Sequence, residues 1–190
     1  MGPRQVLDFW FGDADRVDTR WFNGGDAFDR DIRDRFGDTI DDALAGRLDA
    51  WADDVDGALA LIVVLDQFTR NAFRGTPRAF AGDILALALA RRLVDAGHDL
   101  ALPPLRRWFA YMPLEHAEDL ARQHESVNRF EALLADAGVH GEALAAALDY
   151  ARRHRDVIAR FGRFPHRNEI LGRASTPQEA AFLQQPGSRF

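Results

Sequence analysis

The stretch ALALIVVL, residues 58–65, runs straight into DQFTRN, residues 66–71, and its reading decides the fold. Eight apolar residues in a row show neither the alternation of a half-buried strand nor a one-sided helical stripe, so the run is a buried helix or a buried strand. Its alanine content, the N-cap candidates Asp54 and Asp56 before it, and the polar DQFTRN after it favour a central helix.

Helical spacing continues on both sides. Phe28, Ile32, Phe36, Ile40 and Leu44 recur every four residues, a single stripe that ends at Gly46. Thr76-Pro77 reads as an N-cap with proline at the first helical position, and Gly97 as the stop. Pro103-Pro104 opens a short helix carrying Trp108, Phe109 and Tyr111, closed by Pro113. Two long helices are expected next. One runs over 114–137, with Leu120, Gln123, Val127, Phe130 and Leu134 inward. The other runs over 141–161, with Ala147, Tyr150, His154, Val157, Ile158 and Phe161 inward and Gly162 as its stop. Thr176-Pro177-Gln178-Glu179 spells a capping box for a last short helix. No internal repeat of fixed period stands out. The expectation is one all-α domain over 1–190, built of antiparallel helix pairs joined by short loops.

Composition removes several kinds of chemistry. The 190 residues include no cysteine, which excludes disulfides, thiol nucleophiles and iron–sulfur clusters, and no lysine, which excludes Schiff bases and the P-loop lysine. No glycine-rich dinucleotide fingerprint or GxSxG elbow is present, and no cofactor is implied. The longest apolar run is far short of the about 20 residues that cross a bilayer, and the N-terminus has no signal-peptide pattern, so no membrane association and a cytoplasmic setting are expected. Residues 1–56 hold 15 Asp against 7 Arg, whereas residues 151–173 hold 7 Arg against Asp156 and Glu169. The net charge of −6 argues against nucleic acid as a partner, while the basic C-terminal segment suits a small anion.

Four constellations could carry chemistry. Asp66, Gln67, Arg70 and Asn71 follow the apolar run, with Asp66–Arg70 and Gln67–Asn71 each at a four-residue spacing. PLEHAED, 113–119, places Glu115, His116, Glu118 and Asp119 at the expected start of a long helix, where acids also suit the helix dipole. His154 lies on an apolar stripe, as a hydrogen-bonded core residue or a general base. ARFGRFPHRNEILGR, 159–173, gathers Arg163, His166, Arg167 and Asn168 into a turn opening the short helix HRNEIL. The turn is either a basic helix terminus or an anion site of planar guanidinium forks.

VLDFWFG, RWF, LDQFTRN with FRGTPRAF, PLEHAEDL, ARRHRDVIARFGRFPHRNEILGR and STPQEAAFL together resemble the bacterial domain-of-unknown-function family numbered 924, over Val6 to Phe190. The family usually has proline where this chain has Thr69. The resemblance implies a tetratricopeptide-like helical array and says little about activity. It also implies that the four constellations are signature positions, which favours a shared pocket.

Three functions stay open. The leading one is a pocket for a small anionic molecule bearing phosphate or carboxylate. In it Arg70, Arg163 and Arg167 clamp the anion and His154 and His166 donate. Asp66, Glu115 and Asn168 orient them beside Gln67 and Asn71, and His116 or His154 is the acid–base group if the pocket is catalytic. The second is a scaffold whose stacked helices hold a peptide partner. The third is a metal-assisted hydrolase using Glu115, His116, Glu118 and His154. No HExxH or comparable ligand spacing supports it, so no metal residue is assigned.

Overall fold

The computed structural model describes residues 1–12 and 16–188, and Asp13 to Asp15, Arg189 and Phe190 lie outside the described residues. The chain is all-α, with no strand among the described residues. Three helices open it: α1 (Pro3–Phe11), α2 (Arg20–Asn23) and α3 (Gly25–Leu44). On α3 the four-residue stripe holds, with Phe28, Ile32, Phe36 and Ile40 buried.

The apolar run is helical and lies at the centre. Asp54 caps α4 (Val55–Ile62) by accepting from the Gly57 N–H at 2.8 Å. The segment then widens into a π-helical stretch, Val63–Phe68, before α5 (Thr69–Ala72). Ala58 through Leu65 are each at most 3% exposed, so the run is covered on every side. Thr69 joins the π stretch to α5. Its N–H donates to Val64 O, and its hydroxyl donates to Leu65 O at 2.7 Å. A proline here would lack the first of these bonds.

The next elements correct the expected boundaries. Thr76 does not cap a long helix. Its hydroxyl donates to Phe73 O, and Pro77–Phe80 is a single 3-10 turn. The long helix, α6 (Asp83–Asp95), starts at Gly82 and ends before Gly97, whose φ is 69°. α7 (Pro104–Glu115) runs through Pro113 instead of closing there. A proline in the last turn sacrifices one N–H, and the burial of Tyr111 to Glu115 carries the helix past it.

PLEHAED therefore does not open a long helix. It ends α7 and turns, and α8 (Leu120–Ala135) begins only after Asp119, which accepts from the N–H groups of Ala121 and Arg122. Leu120 is 41% exposed, so it lies off the inner stripe that its spacing suggested, and Leu133 is buried more completely than Leu134. α9 (Gly141–Phe161) has the expected limits, with Gly162 at φ 70° as its cap, although Tyr150 faces outward at 50% exposure. HRNEIL is not a helix but a 3-10 turn, Pro165–Arg167, followed by further turns. α10 (Pro177–Phe182) opens with the expected Thr176–Glu179 capping box.

α7, α8 and α9 pack in sequence order, and α4 lies against α1, α6 and α7. Phe9, Trp10, Trp21, Phe28, Phe36, Phe68 and Phe109 form a continuous aromatic cluster where α1, α3, the π stretch and α7 meet. A smaller cluster of Val157, Ile158 and Phe164, flanked by Phe161 and Phe182, fastens the C-terminal turn to α9.

Candidate functional site

The polar end of the central segment meets the end of α7, the first turn of α6, His154 of α9 and the 164–167 turn. Asp66 is its centre. It is fully buried and accepts from Gln67 Nε2 at 2.5 Å, with Arg70 Nη1 ion-paired at 3.1 Å and His116 Nδ1 at 2.8 and 3.0 Å from its two oxygens. Burial alone would raise its pKa, but Arg70, His116 and Gln67 hold it well below the usual carboxylate range. Asp66 is thus ionised, and a carboxylate can only accept. His116 Nδ1 therefore carries the proton and Nε2 keeps its lone pair. Burial and Arg70 push the His116 pKa down, which keeps the ring neutral.

Two guanidiniums share a second carboxylate. Arg70 Nη1 lies 3.0 Å from Asp83 Oδ1, and Arg167 Nη1 donates to Asp83 Oδ2 at 3.0 Å. Arg167 Nη2 also donates to His116 O at 3.1 Å, and its guanidinium carbon lies 4.8 and 4.6 Å from the ring centroids of Phe80 and Phe164. Arg70 Nη2 and Arg167 Nε are buried with no acceptor among the described residues. With Asp66 and Asp83 offsetting Arg70 and Arg167, the site is locally balanced rather than strongly cationic.

Glu115, the last residue of α7, is 4% exposed and lies 3.1 Å from His154 Nδ1, which also donates to Tyr150 O at 2.9 Å. Burial and then Asp66, only partly offset by Arg70, push the Glu115 carboxyl up to about 8. Burial and His116 hold His154 well below the ordinary histidine value. The rings of His116 and His154 are 6.0 Å apart. Gln123 of α8 fixes this corner by donating to Glu115 O at 2.5 Å and Ala117 O at 2.8 Å. His166 stands at the edge beside Phe164, its pKa lowered to about 4 by burial and Arg167.

The structure thus gathers Asp66, Gln67, Arg70, Glu115, His116, His154, His166 and Arg167. It places Asn71 elsewhere, donating to Asp29 Oδ1 at 3.0 Å beside Arg74. The expected Gln67–Asn71 pairing does not form, because Gln67 donates to Asp66 Oδ2 and Asn71 to Asp29 Oδ1. Arg163 also stays outside, clipped to both oxygens of Glu179 at 2.7 and 2.8 Å. Asn168 is buried in the turn, where it accepts from Arg173 and donates to Ser175.

Asp83 and Arg173 were not among the assigned residues, whereas Glu118, named with PLEHAED, faces the arginine turn. Asp83 had no distinguishing signal, because it falls inside the helix expected from Pro77 and its arginine partners are distant in sequence. Glu118 accepts from the Phe164 N–H and from Arg173, which docks the C-terminal turn on the α7–α8 corner.

The family model described as "Bacterial protein of unknown function (DUF924)" matches residues 6–187. A solved protein of unknown function, ATU0120 from Agrobacterium tumefaciens, is 38% identical with a TM-score of 0.82, and the match covers 96% of each chain. No curated protein matches. The chain belongs to the DUF924 family. Among the described residues no helix is long and apolar enough to cross a membrane.

Proposed function

We propose that this DUF924 member binds a small phosphate- or carboxylate-bearing molecule at the Asp66–Arg70–Asp83–Arg167 cluster, with His116 as its acid–base group. One observation carries this reading. The ring of His116, oriented by an ionised and buried Asp66, stands beside two guanidiniums that each retain a buried N–H without an acceptor. Buried donors without acceptors cost free energy that an oxyanion would recover.

The partly exposed members, Arg70, Asp83, His116 and His166, mark the edge from which such a molecule would approach. A neutral imidazole with Nε2 available accepts a proton, and Asp66 stabilises the imidazolium that results. The arginines would meet negative charge developing on the ligand. The anion clamp of this reading consists of Arg70 and Arg167, without Arg163. The peptide-scaffold alternative gains no comparable support.

Calorimetric titration with inorganic phosphate and simple carboxylates, at low salt and with chelator present, tests the proposal. Binding is expected in the wild-type protein, weakened at least tenfold in Arg70→Ala and Arg167→Ala and unchanged in Arg163→Ala. Absence of binding to every probe, or equal binding by all variants, would refute it.

A further inference from the structure

We propose that Glu115, His116 and His154 form a site for one divalent transition-metal ion of the zinc or ferrous class. The three residues come from two elements: the end of α7 and the turn after it, and the middle of α9. One ligand-type atom from each lies within 4.8 Å of the other two. Around a tetrahedral ion with bonds of about 2.0–2.1 Å, ligand atoms sit about 3.4 Å apart, so closure needs side-chain shifts of about 1 Å.

The surroundings supply a second, independent argument. A metal-binding histidine needs its other ring nitrogen fixed as a donor to an oxygen acceptor. His116 has Asp66 on Nδ1, and His154 has the Tyr150 carbonyl on Nδ1. Neither acceptor can donate, so both rings are set in the tautomer that leaves Nε2 as a lone pair. Glu115 Oε1 now contacts His154 Nδ1, and rotation of that carboxylate would exchange the contact for coordination. Gln123 holds the corner at Glu115 O and Ala117 O, so the residues that present the donors are already positioned.

Nearby acids are committed elsewhere. Glu118 is bound by Arg173 and the Phe164 N–H, and Asp119 caps α8. Two imidazoles and one carboxylate suit zinc or ferrous iron better than calcium or magnesium, which prefer oxygen ligands alone. Three protein ligands leave a coordination position open, as at catalytic rather than structural metal sites. Arg167 donates to His116 O, and Arg70 pairs with the Asp66 carboxylate that faces the same ring. A metal on His116 Nε2 replaces its acid–base role, so metal uptake is read without added anion and anion binding is read in chelator.

The test strips the full-length protein with chelator and titrates it with cobalt(II) as a spectroscopic stand-in, then measures zinc content after equilibration and desalting. One equivalent is expected, with the absorption of four- or five-coordinate cobalt. His116→Ala and His154→Ala are each expected to lose the bound equivalent, whereas His124→Ala, at an exposed position, keeps it. Glu115→Gln preserves the shape of the acid and is expected to fold and bind at least tenfold more weakly. Asp66→Asn, which removes no ligand, is expected to weaken binding about 10–100-fold. No stoichiometric uptake by the wild-type protein, or full uptake by folded Glu115→Gln and His116→Ala, would overturn the site.

Discussion

Asp66 of the central segment and His116 beyond α7 lie fifty residues apart in sequence, yet Nδ1 of one is 2.8 Å from Oδ1 of the other, with the carboxylate wholly removed from solvent. Arg70 approaches the same carboxylate at 3.1 Å. Asp66→Ala would leave the partly buried Arg70 without this partner. Deleting one partner of a buried pair costs about 3–5 kcal/mol, so urea denaturation of Asp66→Ala is expected to show a loss of that size. A change under about 1 kcal/mol would mean that Asp83 and solvent satisfy Arg70 unaided.

The core makes a separate demand. Leu61 and Leu65 are each 2% exposed in the central segment. Either change to alanine is expected to cost about 2–5 kcal/mol, read as a shift in the denaturation midpoint at constant slope.

Gly82 controls how the first turn of α6 meets the π stretch. A Cβ built there would lie 2.1 Å from the Leu65 carbonyl oxygen, and backbone cannot yield as a flexible side chain does. The neighbouring Asp83 is the carboxylate that Arg70 and Arg167 share. Gly82→Ala is therefore expected to lower thermal stability and, by moving Asp83, to change ligand binding, whereas alanine at partly exposed Gly141, where a Cβ meets nothing within 4 Å, changes neither.

Acid–base linkage should be visible in the chelator-treated protein. Glu115 keeps its proton in the folded chain up to about 8, whereas an ordinary glutamate loses it near 4.5. Its contribution to stability therefore fades as pH rises through that interval. His166 acts in the opposite sense. Its folded value of about 4 lies below the ordinary 6.5, so the unfolded chain takes up the proton first and stability falls as pH drops from about 6.5 to about 4. His116 and His154 are shifted in the same direction as His166. Stability is expected to peak near pH 6.5, and Glu115→Gln should remove the decline on the alkaline side. A wild-type profile flat from pH 6.5 to 8 would contradict this.

The fold was legible in the sequence wherever periodicity met a boundary residue, as in α3, α9 and the Thr176 capping box. It was less so where tertiary packing overrode local signals. Pro113 reads as a stop, but burial carries α7 two residues further. Leu120 reads as an inward residue only if its helix starts at Leu114, whereas Asp119 caps the helix one residue before Leu120. The site was partly legible for the same reason. Asp66 and Arg70 lie four residues apart and Glu115 and His116 are neighbours, so the sequence alone groups each pair. Asp83 has no local signal, because its role depends on arginines 13 residues before it and 84 after it. Asn71 has no local signal for its place either, because its partner Asp29 lies 42 residues before it.

The arginine turn supplies the most discriminating contrast, because Arg163 and Arg167 lie four residues apart and do different things. Arg163 forks onto Glu179 and reaches Ala174 O, fastening α10 to the turn. Arg167 is 6% exposed and bridges Asp83 to the carbonyl of His116. Removing Arg163 should loosen the segment after residue 173 and speed its proteolysis, while anion binding stays within twofold of wild type. Removing Arg167 should leave Asp83 with Arg70 alone and delete one of the two donors proposed for the anion, so binding is expected to fall at least tenfold. Arg167→Lys separates charge from geometry, since an ammonium keeps the charge but lacks the planar fork that spans two acceptors. It is expected to recover part of the stability and little of the binding. Limited proteolysis and calorimetric titration on the three variants check all of this. If Arg163→Ala loses binding as much as Arg167→Ala does, the turn acts as one unit, and the assignment of the anion to Arg70 and Arg167 fails.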